Sequence, residues 1–405
     1  MLFDTQKEEQ RVAKKGELRS LLIGDRKFYA RVAAVVLPII IQNTVSNVVS
    51  LLDNVMVGRI GTLPMSAVAI VNQLLFVFNL CIFGGLAGAG IFAAQYAGAG
   101  DDRGVRHCFR MKWFLALGML AVALGIFLAM PERLIAMYLA DDTAADVAAE
   151  TMGYALRYLR IMLVGLIPFT ISQVYSSTLR ELGETKLPMI ASLIAIVLNL
   201  VFDYVLIFGS DGLPFLPFGP LGVTGAAIAT VFSRFVEAAI IVLFTHTRTA
   251  RFPFIVGAYR SLRVPASLCR SIAVKGAPLL VNEFLWSSGE ALLMQCYSVR
   301  GLDVVAATTI CSTVSSLFNI VFLSMGNSLA ILVGQHLGAN ELDKAKSTAW
   351  RILTLEIVLS FVIGAIMFVV TPAIPRIYNT TDAVRAMAAS LLRVMALMTP
   401  FLTFA

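Results

Sequence analysis

The chain has 405 residues, 58% of them hydrophobic and only 14% charged, with a mean hydropathy of +0.83. Soluble globular domains carry about 25% charged residues, so this composition excludes them and points to an integral membrane protein in a lipid bilayer. The formal net charge of +7 is assigned to basic cytoplasmic loops, and no nucleic-acid partner is expected. Five dispersed cysteines without a C-x-x-C pair, and three dispersed histidines, offer no disulfide framework, zinc site or catalytic triad.

Residues 1–31 are charged on both signs and read as a cytoplasmic N-terminal arm without a signal peptide. Ten apolar stretches long enough to span follow, near 33–56, 66–96, 112–130, 153–178, 187–208, 222–245, 273–297, 305–335, 350–371 and 386–405. Arg and Lys crowd the arm, the loop at 103–112 and the stretch 248–275, whereas 131–150 is acidic. The positive-inside rule therefore places the N-terminus in the cytoplasm of a multi-pass protein. The domain reading is an N-lobe over 32–246, a cytoplasmic linker over 247–272 and a C-lobe over 273–405.

A shift of 240 residues superposes Pro38 on Pro278, Ala67 on Ala307 and Phe78-Asn79 on Phe318-Asn319. The densest match sets "AAQYAGAGD" (93–101) on "VGQHLGANE" (333–341). An internal duplication is expected, with six spans per repeat and so two parallel repeats around a central cavity. The stretch "LLRVMALMTPFLTFA" (391–405) parallels "LRYLRIMLVGLIPFT" (156–170), so twelve spans are expected in the complete protein and ten here.

Polar groups inside spans are costly, about 2.5–3.5 kcal/mol for a carboxylate at mid-membrane on insertion scales, and mark function. Asp53 in "LLDNVMVG" and Asp203 in "LNLVFDYVLIFG" both fall late in outward-running spans. Asn199 shares the helical face of Asp203 by i, i+4 spacing, and Thr224 opens the sixth span at similar depth. Two carboxylates, an amide and a hydroxyl could hold a proton or coordinate Na⁺ through oxygen, and no other metal or cofactor is expected. Glu283 in "PLLVNEFLW" falls near the midplane of the seventh span, and its repeat counterpart is Asn43 in "PIIIQNTVS", beside Gln42. With Trp286, able to stack on aromatic or cationic ligands, these four form the expected substrate cleft.

"LLDNVMVGRIG", "STLRELGETKLPMI", "LNLVFDYVLIFG…GPLGVTGAAIATVFSR" and "GQHLGANELDKA" together resemble the MATE (multidrug and toxic compound extrusion) family over nearly the whole chain. The resemblance implies an all-α polytopic fold with two six-helix lobes around a V-shaped cleft. It also implies export of organic cations in exchange for H⁺ or Na⁺ by a monomeric bacterial inner-membrane transporter, not an enzyme. Asp53 matches the family's first-span carboxylate, Asn199 and Asp203 its fifth-span pair, and Thr224 its sixth-span hydroxyl. Glu283 matches the acid of one bacterial branch. The alternative is a flippase for lipid-linked precursors, which would need a cationic cavity. Arg157, Arg160, Arg234 and Arg393 lie in or at the edges of spans, and Glu283 would repel an anion.

Overall fold

A computed structural model describes residues 22–139, 144–212, 217, 219–298, 302–377 and 381–404. The first 21 residues of the expected arm lie outside the described residues, as do Asp141 and Asp142 of the acidic loop. The described residues form helices and no strand, in the order α1 (Arg26–Gly58), α2 (Thr62–Gly98), α3 (Asp102–Ala129), short α4 (Pro131–Ala136), α5 (Ala145–Glu181), α6 (Lys186–Gly212), α7 (Val223–Thr247), α8 (Ala266–Ser298), α9 (Leu302–Gly338), α10 (Leu342–Val370) and α11 (Asp382–Phe404). In lipid every backbone polar group must be satisfied within its segment, which leaves the helix as the solution for isolated apolar runs.

Nine of these helices are long and apolar enough to span, against the ten expected. The missing one is α8, a continuous helix of 33 residues interrupted in composition by Asn282, Glu283, Ser287, Ser288 and Glu290. These polar residues lower its hydropathy while its 33 residues remain long enough to cross a bilayer.

The duplication is visible in the helix bounds. Moved by 240 residues, Arg26–Gly58 becomes Ala266–Ser298 and Thr62–Gly98 becomes Leu302–Gly338. The helix ends match as well. Gly100 (φ 69°) and Asn340 (φ 59°) both adopt the left-handed conformation. Asp101 N donates to Tyr96 O at 2.9 Å, and Glu341 N donates to His336 O at 2.9 Å. Such a reversal terminates a helix by turning its last carbonyls onto the following N–H groups, and Gly or Asn pays least for that φ. Asp101 then caps α3, its Oδ1 accepting from the N–H groups of Arg103 and Gly104 at 3.0 Å each.

By Cα proximity the chain divides into two units, Ile41–Glu283 and a second made of residues up to Ile40 together with Phe284–Ala405. The first is built on Val68, Val71, Leu75, Phe78 and Ile82 of α2, packed with Tyr158, Leu159, Met162 and Leu166 of α5. Within it the first half of α8 seats Leu268 and Ile272 on Ala89, Ala93 and Cys108. In the second unit Val32, Val35, Val36 and Ile39 of α1 pack on Met325, Ile331, Leu332 and Ile352. The lobe bounds read from the sequence place most of α1 in the first lobe and most of α8 in the second, whereas by Cα proximity each helix shares its length between units.

The connection between α7 and α8 is tied to the first unit. Arg110, buried in α3, donates to the carbonyls of Ala258 (2.7 Å), Gly257 (2.9 Å) and Arg263 (3.2 Å), and Arg106 donates to that of Phe254 (2.9 Å). Tyr259 meets Tyr175 hydroxyl to hydroxyl at 2.5 Å. Burial raises the Tyr259 phenol above its ordinary value, so it stays a neutral donor or acceptor there.

Candidate functional site: a buried pair of carboxylates

The α6 sequence sorts itself into two stripes. Ile190, Ile194, Val197, Val201 and Tyr204 are exposed, while Ala191, Ser192, Ala195, Asn199, Asp203 and Ile207 are buried. Spacings of three and four put each set on one helical face. Apolar side chains thus face outward, Val201 being 53% exposed, and the carboxylate turns inward with Asp203 at 1%.

Asp53 of α1 brings its carboxyl to hydrogen-bonding range of Asp203. No N–H or O–H donor of the described residues satisfies Asp53 Oδ1 or either oxygen of Asp203. A buried acceptor without a donor costs about 1–3 kcal/mol, more when charged, so two facing carboxylates require a proton or a metal cation between them. Asn199 stands beside Asp203 and donates from Nδ2 to Thr230 Oγ1 at 3.5 Å. On α5, Tyr158 donates to Asn72 Oδ1 of α2 at 3.4 Å and lies in the field of both carboxylates. The oxygen donors fit a hard monovalent cation such as Na⁺ as well as a proton. No group of three His, Cys, Asp or Glu side chains able to hold a metal occurs among the described residues.

The structure brings together Asp53, Asn199 and Asp203, as the sequence indicated. No hydrogen bond joins Thr224 to either carboxylate. The α7 hydroxyl that meets Asn199 belongs to Thr230, six residues further on. The reason is the approach of α7 to α6. A Cβ on Gly225 would stand 2.5 Å from Leu206 O, and Gly222 N donates to Ile207 O at 3.2 Å, so the start of α7 lies directly on the α6 backbone. Gly225→Ala is therefore expected to displace α7, loosen the Asn199–Thr230 contact and lower coupled transport roughly tenfold. A transport assay on monodisperse protein checks it.

The remaining expected residues are placed separately. Gln42 Oε1 accepts from Arg180 Nη2 at 2.9 Å. Asn43 accepts at its carbonyl from Asn47 Nδ2 at 3.0 Å. Glu283 packs its Cγ into the space left by Gly84 of α2. Trp286 is 57% exposed and belongs to the second unit. An apolar groove of about 630 Å³ between α2 and α3, lined by Val77, Phe114, Met119 and Val122, contains no carboxylate and is not the site.

Several buried ionic groups were not singled out from the sequence. Lys112 of α3 is 0% exposed and donates to both oxygens of Glu181 at 2.7 and 2.6 Å, with Ser177 and Thr178 hydroxyls beside it. Glu237 of α7 receives a hydrogen bond from Ser192 and lies in the fields of Arg180 and Arg234. Glu356 is buried in α10 of the second unit. An intramembrane charge is the signal that finds each of them.

A family model described as MatE matches residues 38–205 and 278–405. The chain belongs to the MATE family. Among its relatives, the probable multidrug resistance protein NorM of Thermotoga maritima is 27% identical over 346 residues, covering 85% of this chain and 71% of the relative. The multidrug resistance protein MdtK of Edwardsiella ictaluri is 24% identical over 368 residues, covering 90% and 77%. A solved outward-facing conformation of a multidrug resistance MATE family transporter superposes with a TM-score of 0.81 at 20% identity, over 95% of this chain and 81% of that one. MATE in a bent conformation gives 0.81 at 19% over the same shares. At this identity the likeness establishes the fold. This MATE-family chain is a membrane transporter and not an enzyme.

Proposed function

We propose that the chain exports small organic cations across the inner membrane, N-terminus in the cytoplasm, in exchange for H⁺ or Na⁺ by alternating access. The observation that carries this reading is the buried carboxylate pair Asp53–Asp203, with three of its oxygens lacking a well-placed donor and the Asn199 amide beside it. Facing acceptors in a low-dielectric interior bind a cation tightly in one conformation and release it when their separation or hydration changes. A cation drives transport only through unequal affinity for two conformations, and this pair supplies the inequality. Asp53, Asn199 and Asp203 would hold the coupling ion, with Thr224 at the start of α7 as the further oxygen donor read from the sequence. Glu283, Gln42 and Asn43 would attract the positive charge of the substrate, and Trp286 would stack on its aromatic part. The names of the multidrug resistance relatives support the substrate class. The protein acts as a monomer in this reading and needs no organic cofactor.

The test is reconstitution in liposomes with a fluorescent organic cation, under an imposed pH gradient and separately under a Na⁺ gradient. Export that follows one gradient supports antiport and names the ion. Export indifferent to both would overturn it and move weight to the flippase reading.

A further inference from the structure

The apolar groove between α2 and α3 is not the ion site, yet its place in the first unit gives it a charged neighbour. One face of α2 does two things in succession. From Leu74 to Cys81, about 11 Å of helix axis, it walls the groove of about 630 Å³ opposite Phe114, Met119 and Val122 of α3. One turn further on, at Gly84, Gly85 and Gly88, the first half of α8 covers it. A Cβ on Gly88 would stand 2.6 Å from Gly276 Cα, and one on Gly84 3.3 Å from Glu283 Cγ. The absent side chains let α8 lie directly on the α2 backbone as far as Glu283, its last residue in this unit.

Met119 joins the two stretches. It lines the groove, and its Sδ and Cε lie 2.7 Å from where a Cβ on Gly85 would stand. Leu280 Cδ1 of α8 comes to 4.0 Å of the same point. The groove therefore ends against α8 within about one turn of Glu283, since Gly84 follows Cys81 by about 4.5 Å along the axis. Glu283 is half-buried, and among the described residues none donates to its carboxylate or pairs with it.

We propose that the α2–α3 groove receives an aromatic arm of an amphipathic organic cation whose positive centre lies at Glu283. The inference deepens the antiport reading above and rests on it for the sign of the substrate. Pockets for drug-sized ligands enclose about 300–1,000 Å³ behind apolar and aromatic walls with a few polar groups, and this groove has that size and those walls. Phe78 and Phe114 supply aromatic contact area to a ring. A lipid acyl chain would fill the same walls but brings nothing for Glu283. A carboxylate within a span is costly without a counter-ion, and a cation seated beside it offsets that cost.

The test is photolabelling of the full chain in lipid nanodiscs with a diazirine derivative of tetraphenylphosphonium, the labelled peptides being mapped by mass spectrometry. Label is expected on 74–81 of α2 and 114–127 of α3. Excess tetraphenylphosphonium is expected to displace it, whereas tetraphenylborate, of the same shape and opposite charge, is not. Gly118 lines the groove and a Cβ there would meet nothing within 4 Å, so Gly118→Leu fills the space from an open position. That variant is expected to cut groove labelling roughly tenfold at an unchanged melting temperature. Glu283→Gln is expected to raise the concentration of tetraphenylphosphonium for half displacement on the order of tenfold. Label confined to other segments would overturn the proposal. So would equal displacement by both ions or a half-displacement concentration unmoved in Glu283→Gln, which is how a lipid-filled face behaves. Export in proteoliposomes separates the two levels. Export that follows a gradient without groove label removes only the groove, whereas displaceable groove label with export indifferent to both gradients removes the antiport reading and leaves the cation site.

Discussion

Asp203→Asn is expected to lower cation-coupled transport by roughly 100-fold or more while leaving the protein as stable as the parent or more so. The two effects have one cause. At about 4 Å and an effective dielectric of ~20, a carboxylate and a bound cation attract by about 4 kcal/mol, so removing that charge costs well over tenfold in affinity. Yet the same change replaces an acceptor facing an acceptor with an amide whose N–H can donate to Asp53, whose Oδ1 has no donor otherwise. Active sites hold such unfavourable arrangements because function needs them, and relieving one stabilises the fold. Transport under the driving gradient and thermal unfolding in detergent check the pair of outcomes. A variant that loses transport because it has become less stable would not support the account.

The second large effect is structural. Lys112 lies fully buried against Glu181, and Gly90 of α2 leaves the room that the Glu181 carboxylate fills. Removing one member of a buried ion pair leaves the other unmatched and costs about 3–5 kcal/mol, whereas replacing both with apolar groups of similar volume is often nearly neutral. Lys112→Ala is therefore expected to lower the melting temperature markedly. The double variant Lys112→Met with Glu181→Leu should recover most of the loss. Unfolding of purified protein followed by tryptophan fluorescence reads both, and a Lys112→Ala variant that melts with the parent would contradict the assignment.

What was legible in the sequence follows from cost. Asp53 and Asp203 stand out because a carboxylate in an apolar run is expensive, and Asn199 because four residues bring it under Asp203. The duplication was legible in shared Gln, Gly, Ala and Phe-Asn identities, and the equal helix bounds 240 residues apart agree with it. Thr230 was missed because depth along α7 was read from the opening of the span, which picks out Thr224. The close approach permitted by Gly225 is a property of two backbones that one-dimensional spacing does not report. Glu181 closes α5 and Lys112 stands at the first residue of the apolar span read from the sequence, where a charge reads as interfacial until the fold shows it covered. The polar residues of α8 lower its hydropathy below that of the other spans, although its length and its counterpart α1 mark it as one.

In the antiport reading the Asp53–Asp203 pair holds the driving cation and gives it up in exchange for substrate bound elsewhere. The most direct measurement is to add tetraphenylphosphonium to the full chain in lipid nanodiscs and count the protons or Na⁺ ions released per substrate bound. Release of about one cation by the parent, and none by an Asp53→Asn, Asp203→Asn double variant, is the result expected for a pair that shares one ion. Substrate binding with no release by the parent, or equal release by the double variant, would contradict it.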